Sequence, residues 1–154
     1  MNGYFNDEQL TQDKYRYNKE LKELELFTGD LFKMDEQGYL YFISRTQFFI
    51  KRRGQRISPL FIEDKINEIA CVIDCVVIPV RSSAKDLIVG FIRVKKEVTY
   101  EQAAAAINKT LPDIYKLDYL FLYEDNFPYS SNGKIDRKAL IRKAESELPE
   151  KLFE

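Results

Sequence analysis

Two long β-branched runs separated by a short polar turn constrain the fold more than any other feature. Residues 72–80 and 87–94 are rich in Val and Ile, and residues 81–86 between them are mostly polar or charged. Apolar runs of this length are typical of buried strands, and the polar spacer is typical of a turn. The sequence therefore predicts two antiparallel neighbours in a central sheet.

Helix signals flank this strand pair. Ser58 and Pro59 predict the N-cap and first residue of a helix that ends near Cys71. Thr99 and Gln102 have the spacing of a capping box ahead of an alanine-rich helix. The first of these helices carries Ile62, Ile66 and Ile69 at intervals that place them against a core.

The remaining chain predicts one more strand, a last helix and two hairpins. Residues 119–123 form a third apolar run, and Asp136 is a good N-cap for the final helix. Residues 28–33 and 39–43 predict a hairpin that needs a surface to lie on, while residues 1–26 contain little that could form a core. Residues 48–57 predict a second hairpin. The order indicates an α+β fold, with helices packed on a small sheet of about three strands plus a β-hairpin.

Composition excludes several classes of function. The formal charge is −1 and the pI is about 5.7, so there is no global basic field for nucleic acid or an acidic membrane. Without histidine, a zinc site or a His-based triad cannot be assembled. We interpret Cys71 and Cys75 as buried thiols in a reducing compartment. The chain lacks an apolar run long enough to span a membrane, and we expect a cytoplasmic protein.

Lys134 lies in the polar segment Tyr129-Ser130-Ser131-Asn132-Gly133-Lys134, directly before the last helix. Asn-Gly favours a turn with positive φ, so this lysine is expected at the apex or exit of a loop. An outward-facing ammonium there suits an anion, although a solvated surface lysine fits the same local pattern.

The second hairpin carries four cations in its turn region: Lys51, Arg52, Arg53 and Arg56, around Gly54. A phosphate-binding turn and a solvated structural turn both fit this pattern.

Three stretches in this order resemble motifs of the adenylate-forming superfamily, which includes acyl-CoA synthetases, peptide-synthetase adenylation domains, D-alanine carrier-protein ligases and luciferases. They are Thr28-Gly29-Asp30-Leu31; Arg45 with the segment Ile50 to Glu63; and Pro128 through Asn132-Gly133-Lys134-Ile135-Asp136-Arg137. The resemblance covers residues 3–145. It implies that residues 1–46 trail from a larger N-terminal domain, as a hairpin remnant, and that residues 47–154 form a mobile C-terminal lid domain.

The resemblance also implies roles for individual residues. Asp30 and Arg45 correspond to nucleotide-binding residues near the ribose of ATP, and Lys134 to the catalytic lysine of adenylation. Lys51, Arg53, Gly54 and Arg56 correspond to the loop used for thioester formation.

Gln47 stands at the family's hinge, where Asp or Lys is usual. Ser44 replaces a usual glycine, and residues 58–61 replace a more acidic run. The implied substrate is ATP with Mg²⁺, the ion being held mainly by the N-terminal domain. The implied acceptor is the pantetheine thiol of CoA or of an acyl or peptidyl carrier protein.

These residues contain no counterpart of the family's N-terminal adenylation domain, so we expect them to be inactive alone. The leading hypothesis is a lid that works with such a domain, as part of a longer or split enzyme. A non-catalytic module that binds a carrier protein or partner enzyme is the alternative, and a nucleic-acid binder is weaker because acidic residues cancel the basic turn. The motifs look nearer to amino-acid-activating enzymes than to luciferases.

Overall fold

The computed structural model describes residues 3–153, with the side chain of Gln47 excepted. The chain divides into two compact units, one extending to Gln47 and the other beginning at Phe48. Each unit has its own hydrogen-bonded strands.

The N-terminal unit contains one short helix and two antiparallel hairpins. Its elements are α1 (Glu8–Lys14), β1 (Tyr15–Asn18), β2 (Glu23–Leu26), β3 (Asp30–Met34) and β4 (Leu40–Arg45). The predicted hairpin of β3 and β4 is present, with strand bounds one or two residues from those expected.

The helix and hairpin within residues 8–26 had no clear signal in the sequence. α1 buries none of its residues, so there is no apolar periodicity to reveal it. It is held instead by its cap, because the Asp7 carboxylate accepts a hydrogen bond from the Leu10 amide at 2.9 Å. The sequence of residues 1–11 is typical of a loop, and that interpretation is wrong from Glu8 onward.

The C-terminal unit contains a three-stranded sheet, a short hairpin and three helices. Its elements are β5 (Ile50–Arg52), β6 (Gln55–Ile57), α2 (Pro59–Asn67), β7 (Val72–Arg81), β8 (Asp86–Val94), α3 (Tyr100–Thr110), β9 (Tyr119–Leu122) and α4 (Arg137–Glu147). This confirms the α+β prediction.

The sheet has the order β7-β8-β9. β7 and β8 are antiparallel, as predicted, and β9 runs parallel to β8 after the connection through α3. Parallel neighbours require a crossover of this kind, which α3 supplies.

Both faces of the sheet are buried. Val77, Ile88 and Ile92 face a core shared with the β5–β6 hairpin, α2 and α3. The alternate residues of β7 and β8 face a second core that includes Phe127 and Leu140. Because β7 and β8 are covered on both sides, they read as continuous apolar runs rather than as alternating ones.

Two local predictions need correction. The helix that begins at Pro59 ends at Asn67, not near Cys71, because a turn in which the Val72 amide bonds the Ile69 carbonyl leads directly into β7. Both cysteines are free thiols, but only Cys75 is buried and Cys71 is partly exposed. The capping box of Thr99 and Gln102 is formed as predicted.

Among residues 3–153, no helix is long and apolar enough to cross a membrane.

Candidate functional site

Lys134 lies at the end of a short, hydrogen-bonded loop. Tyr129 and Ile135 form an antiparallel bridge that closes the loop. The Ser130 amide donates to the Lys134 carbonyl at 2.7 Å, and Gly133 adopts the left-handed φ of 74° that its turn requires. The backbone that carries Lys134 is therefore constrained locally.

The loop is fixed to the body of the unit at both ends. Phe127 is buried in the second core, and the Asp136 amide donates to the Pro128 carbonyl at 2.7 Å. The Asp136 side chain caps α4 by accepting from the Ala139 amide at 3.0 Å. The sequence predicted this cap correctly.

The Lys134 side chain itself is exposed. Within the described part of the chain its ammonium has no hydrogen-bond or ion-pair partner. An exposed lysine with a free ammonium on a constrained backbone can approach an anion without breaking an existing contact.

Arg137, the first residue of α4, makes buried contacts three residues after Lys134. Its guanidinium donates to the Val77 carbonyl at 2.7 Å and to the Glu63 carboxylate at 2.9 Å. Glu63, only 7% exposed, also accepts from the Val77 amide at 2.7 Å. Sequence reasoning treated Glu63 and Arg137 only as motif residues, because 74 positions separate them.

Asp30 and Arg45 are brought together in the N-terminal unit. They are register partners across β3 and β4, and Arg45 Nε lies 3.0 Å from Asp30 Oδ1. The turn before Asp30 is held by the Gly29 carbonyl, which accepts from the Thr46 amide at 2.8 Å. This places an oriented carboxylate beside a guanidinium at the end of a hairpin.

Gln47, the predicted hinge, has its backbone in the short 3-10 turn Thr46–Phe48. Its side chain lies outside the described residues.

The basic hairpin brings four predicted residues onto one element. Lys51 and Arg56 are register partners, and Arg53 and Gly54 form the two-residue turn. Both turn residues have left-handed φ, 50° for Arg53 and 77° for Gly54, as a type I′ turn requires. All four residues are exposed.

Arg52 points the other way and is structural. Its guanidinium forms an ion pair with Asp118 and donates to the Lys116 carbonyl at 2.6 Å. Asp118 also accepts from the Ile88 amide at 2.8 Å, and Lys85 approaches it to 3.0 Å. This network attaches the basic hairpin to the segment that precedes β9.

A cleft of about 350 Å³ lies beside this network. Its charged lining residues comprise five cations and three carboxylates: Lys51, Arg52, Arg53, Lys85, Lys116, Asp86, Asp113 and Asp118. A hydrogen bond and the charge of the Lys116 ammonium lower the pKa of the Asp113 carboxyl. Five of these eight charges form ion pairs: Arg52 and Lys85 with Asp118, and Lys116 with Asp113.

Curated relatives align with most of the chain. Bacitracin synthase 1 of Bacillus licheniformis is 34% identical over 140 residues, which are 90% of this chain and 3% of that protein. The D-alanine--D-alanyl carrier protein ligase of Listeria welshimeri serovar 6b is 33% identical over 144 residues, which are 90% of this chain and 28% of the ligase. The matched regions are C-terminal portions of adenylation domains. This chain is homologous to the C-terminal portion of adenylation domains of the adenylate-forming superfamily.

Solved structures agree with this superfamily fold. ATP-bound MatB from Rhodopseudomonas palustris superimposes with a TM-score of 0.78 at 21% identity, over 95% of this chain and 28% of MatB. No protein-family model matches the chain. The chain thus spans less than a third of these superfamily members, and corresponds to their C-terminal portion.

Proposed function

We propose that this chain acts as the C-terminal lid of an ATP-dependent, carboxylate-activating ligase and that Lys134 is its adenylation lysine. The observation that carries the proposal is the free, exposed ammonium of Lys134 on a loop fixed at both ends. Homology to adenylation domains supplies the reaction class.

Lys134 supplies positive charge where the reaction develops negative charge. A carboxylate oxygen of the substrate attacks the α-phosphorus of ATP, forming a C–O–P linkage, and pyrophosphate leaves with the electron pair of the broken P–O bond. An ammonium near the α-phosphate and the attacking carboxylate lowers this barrier electrostatically. The compact ammonium of lysine on a flexible stem suits that position.

Asp30 and Arg45 suit the ribose of the nucleotide. An ionised carboxylate accepts hydrogen bonds from vicinal hydroxyls, and Asp30 Oδ2 has lone pairs beyond the contact that Oδ1 makes with Arg45. Arg45 holds that carboxylate in one orientation. The Mg²⁺ that accompanies ATP is assigned to the N-terminal domain.

Lys51, Arg53, Gly54 and Arg56 are assigned to the second half-reaction. There a pantetheine thiolate attacks the acyl carbon, and AMP leaves as the acyl–phosphate bond breaks. The acceptor is CoA or a carrier protein, and the chain alternates between the two half-reactions by rotation about Gln47.

The partner in the first half-reaction is an N-terminal adenylation domain. The N-terminal unit exposes more than a third of each of several large apolar residues on β3, on β4 and directly before β4: Leu31, Phe32, Met34, Tyr39, Leu40, Tyr41 and Phe42. Several exposed apolar side chains on one hairpin favour contact with another protein surface. Within residues 3–153 the Lys134 side chain is exposed rather than enclosed, so we expect negligible adenylation without the partner.

Pyrophosphate exchange tests this proposal. The chain is assayed alone and mixed with the N-terminal domain of the D-alanine ligase from Listeria welshimeri, with ATP, Mg²⁺ and D-alanine. We expect exchange only in the mixture, and a loss of at least 100-fold with Lys134→Ala. Lys138→Ala is the matched control, because Lys138 is another exposed lysine, four residues further along.

Robust exchange by the chain alone would contradict the proposed dependence on a partner. Equal exchange with Lys134→Ala and Lys138→Ala would contradict the role of Lys134.

A further inference from the structure

The Glu63–Arg137 pair joins three elements at one buried point. Glu63 comes from the middle of α2, Arg137 from the first turn of α4, and both bond the main chain of Val77 in β7. Their side chains are only 9% and 19% exposed.

This point lies on the outer edge of the sheet. Among the described strands β7 pairs only with β8, so one row of its main-chain groups faces away from the sheet. The Val77 amide and carbonyl in that row are satisfied by Glu63 and Arg137. The pair therefore replaces the missing neighbouring strand at this residue.

The same contact fixes the register of α4 relative to the sheet. Arg137 is held to Glu63 through two nitrogens, in the planar, bidentate geometry that only arginine offers. Because Lys134 is three residues before Arg137, any movement of the start of α4 also moves the base of the lysine loop.

We infer that Arg137 and Glu63 are positioning residues for Lys134. They hold the base of its loop in a fixed position relative to the edge strand β7. The inference rests on the proposed function only for its catalytic consequence. Neither residue touches a reactant: each acts through the backbone that carries the lysine.

Hydrogen exchange on the 154-residue chain tests the structural part. The Gly133 and Asp136 amides are bonded inside the loop, to the Ser130 and Pro128 carbonyls. Arg137→Gln should accelerate their exchange at least tenfold relative to amides of β8. Arg93→Gln is the matched control, because Arg93 pairs with Asp74 of the same β7 strand rather than with a residue of α2.

Two further variants separate positioning from loss of folding. Arg137→Lys keeps the charge but not the bidentate contact, so its loop exchange should fall between wild type and Arg137→Gln. The double variant Glu63→Gln/Arg137→Gln leaves no unpaired buried charge and should recover global stability while the loop stays fast. In the double variant, equal acceleration of hydrogen exchange at the loop amides and the β8 amides would overturn the inference. Loop amides that exchange as slowly in that variant as in the wild type would also overturn it.

The catalytic consequence is measured in the mixture with the N-terminal domain. Arg137→Gln should lower kcat for pyrophosphate exchange about tenfold, while the KM for ATP changes less than twofold. In a Lys134→Ala background, the same substitution should change kcat less than twofold. An undiminished effect in that background would overturn the action through Lys134. Full pyrophosphate-exchange activity of Lys134→Ala would instead overturn the proposed function. The hydrogen-exchange experiment would still test whether Glu63 and Arg137 position the loop.

Discussion

Asp30 and Arg45 face each other across the end of the β3–β4 hairpin, with Arg45 Nε 3.0 Å from Asp30 Oδ1. The Arg45 side chain is 53% exposed and that of Asp30 is 22% exposed. An ion pair this open to solvent contributes little to folding, about 0–1 kcal/mol. Its geometry is thus better explained by orientation of the carboxylate than by stability.

Asp30→Asn should leave folding nearly unchanged and weaken nucleotide use. We expect the free energy of unfolding to change by less than about 1 kcal/mol. Because we propose Asp30 as a hydrogen-bond acceptor for the ribose, loss of its charge should lower kcat/KM for ATP by about 10- to 100-fold in the mixture with the N-terminal domain.

The control for Asp30→Asn is Glu68→Gln, which breaks the exposed Lys65–Glu68 pair on the C-terminal side of α2. Its stability change should be similar and its kcat/KM unchanged. Equal kinetic effects of the two substitutions would contradict a nucleotide role for Asp30.

Gly90→Ala should reveal a tight contact between β8 and the segment before β9. A Cβ at Gly90 would lie 2.7 Å from Leu117 Cδ1, so that side chain must move. We expect a destabilisation of about 1 kcal/mol by chemical denaturation. In a Leu117→Ala background the same substitution should be neutral or stabilising, because alanine is favoured over glycine in a strand. Additive effects would show that the two side chains do not compete for this space.

Much of the C-terminal unit was predictable because its signals are local. The capping box at Thr99, the cap at Asp136 and the Arg53-Gly54 turn each depend on residues within a few positions of one another. The β7–β8 pair was predictable because its apolar runs and polar turn are adjacent in sequence.

The parts that the sequence did not reveal depend on tertiary contacts. α1 buries none of its residues, so its formation leaves no periodic pattern. Glu63 and Arg137 meet only after β7 is placed between their helices, and a 74-residue separation gives no local clue. Arg52 resembles its basic neighbours in sequence, and only its tertiary contacts with the Asp118 carboxylate and the Lys116 carbonyl identify it as structural.

Cys75 should make stability depend on alkaline pH. Burial and the nearby charge of Glu63 raise the pKa of its thiol far above the ordinary value. The unfolded thiol ionises near pH 8.5 while the folded one stays protonated, so the contribution to stability is complete below that pH and declines above it. Between pH 8.5 and 9.5 we expect a loss of about 1 kcal/mol.

Urea denaturation at pH 8.5 and at pH 9.5 measures this loss in the free energy of unfolding. Cys75→Ala should remove about 1 kcal/mol of the decline, whereas Cys71→Ala, at the partly exposed thiol, should leave the decline in place. The same pH dependence in the wild type and in Cys75→Ala would assign the loss to other groups.

Arg53 occupies a backbone conformation that arginine rarely adopts. Its φ of 50° lies in the left-handed region, where asparagine is more readily accommodated, and the strain is about 1 kcal/mol. Arg53→Asn should therefore stabilise the chain by up to about 1 kcal/mol.

If the guanidinium serves thioester formation, the same substitution should slow acyl transfer to a pantetheine thiol at least tenfold and leave pyrophosphate exchange within twofold. Lys22→Asn relieves a similar φ of 54° outside the basic hairpin, and it should stabilise the chain without slowing acyl transfer. Acyl transfer at the wild-type rate with Arg53→Asn would contradict a role of the Arg53 guanidinium in thioester formation.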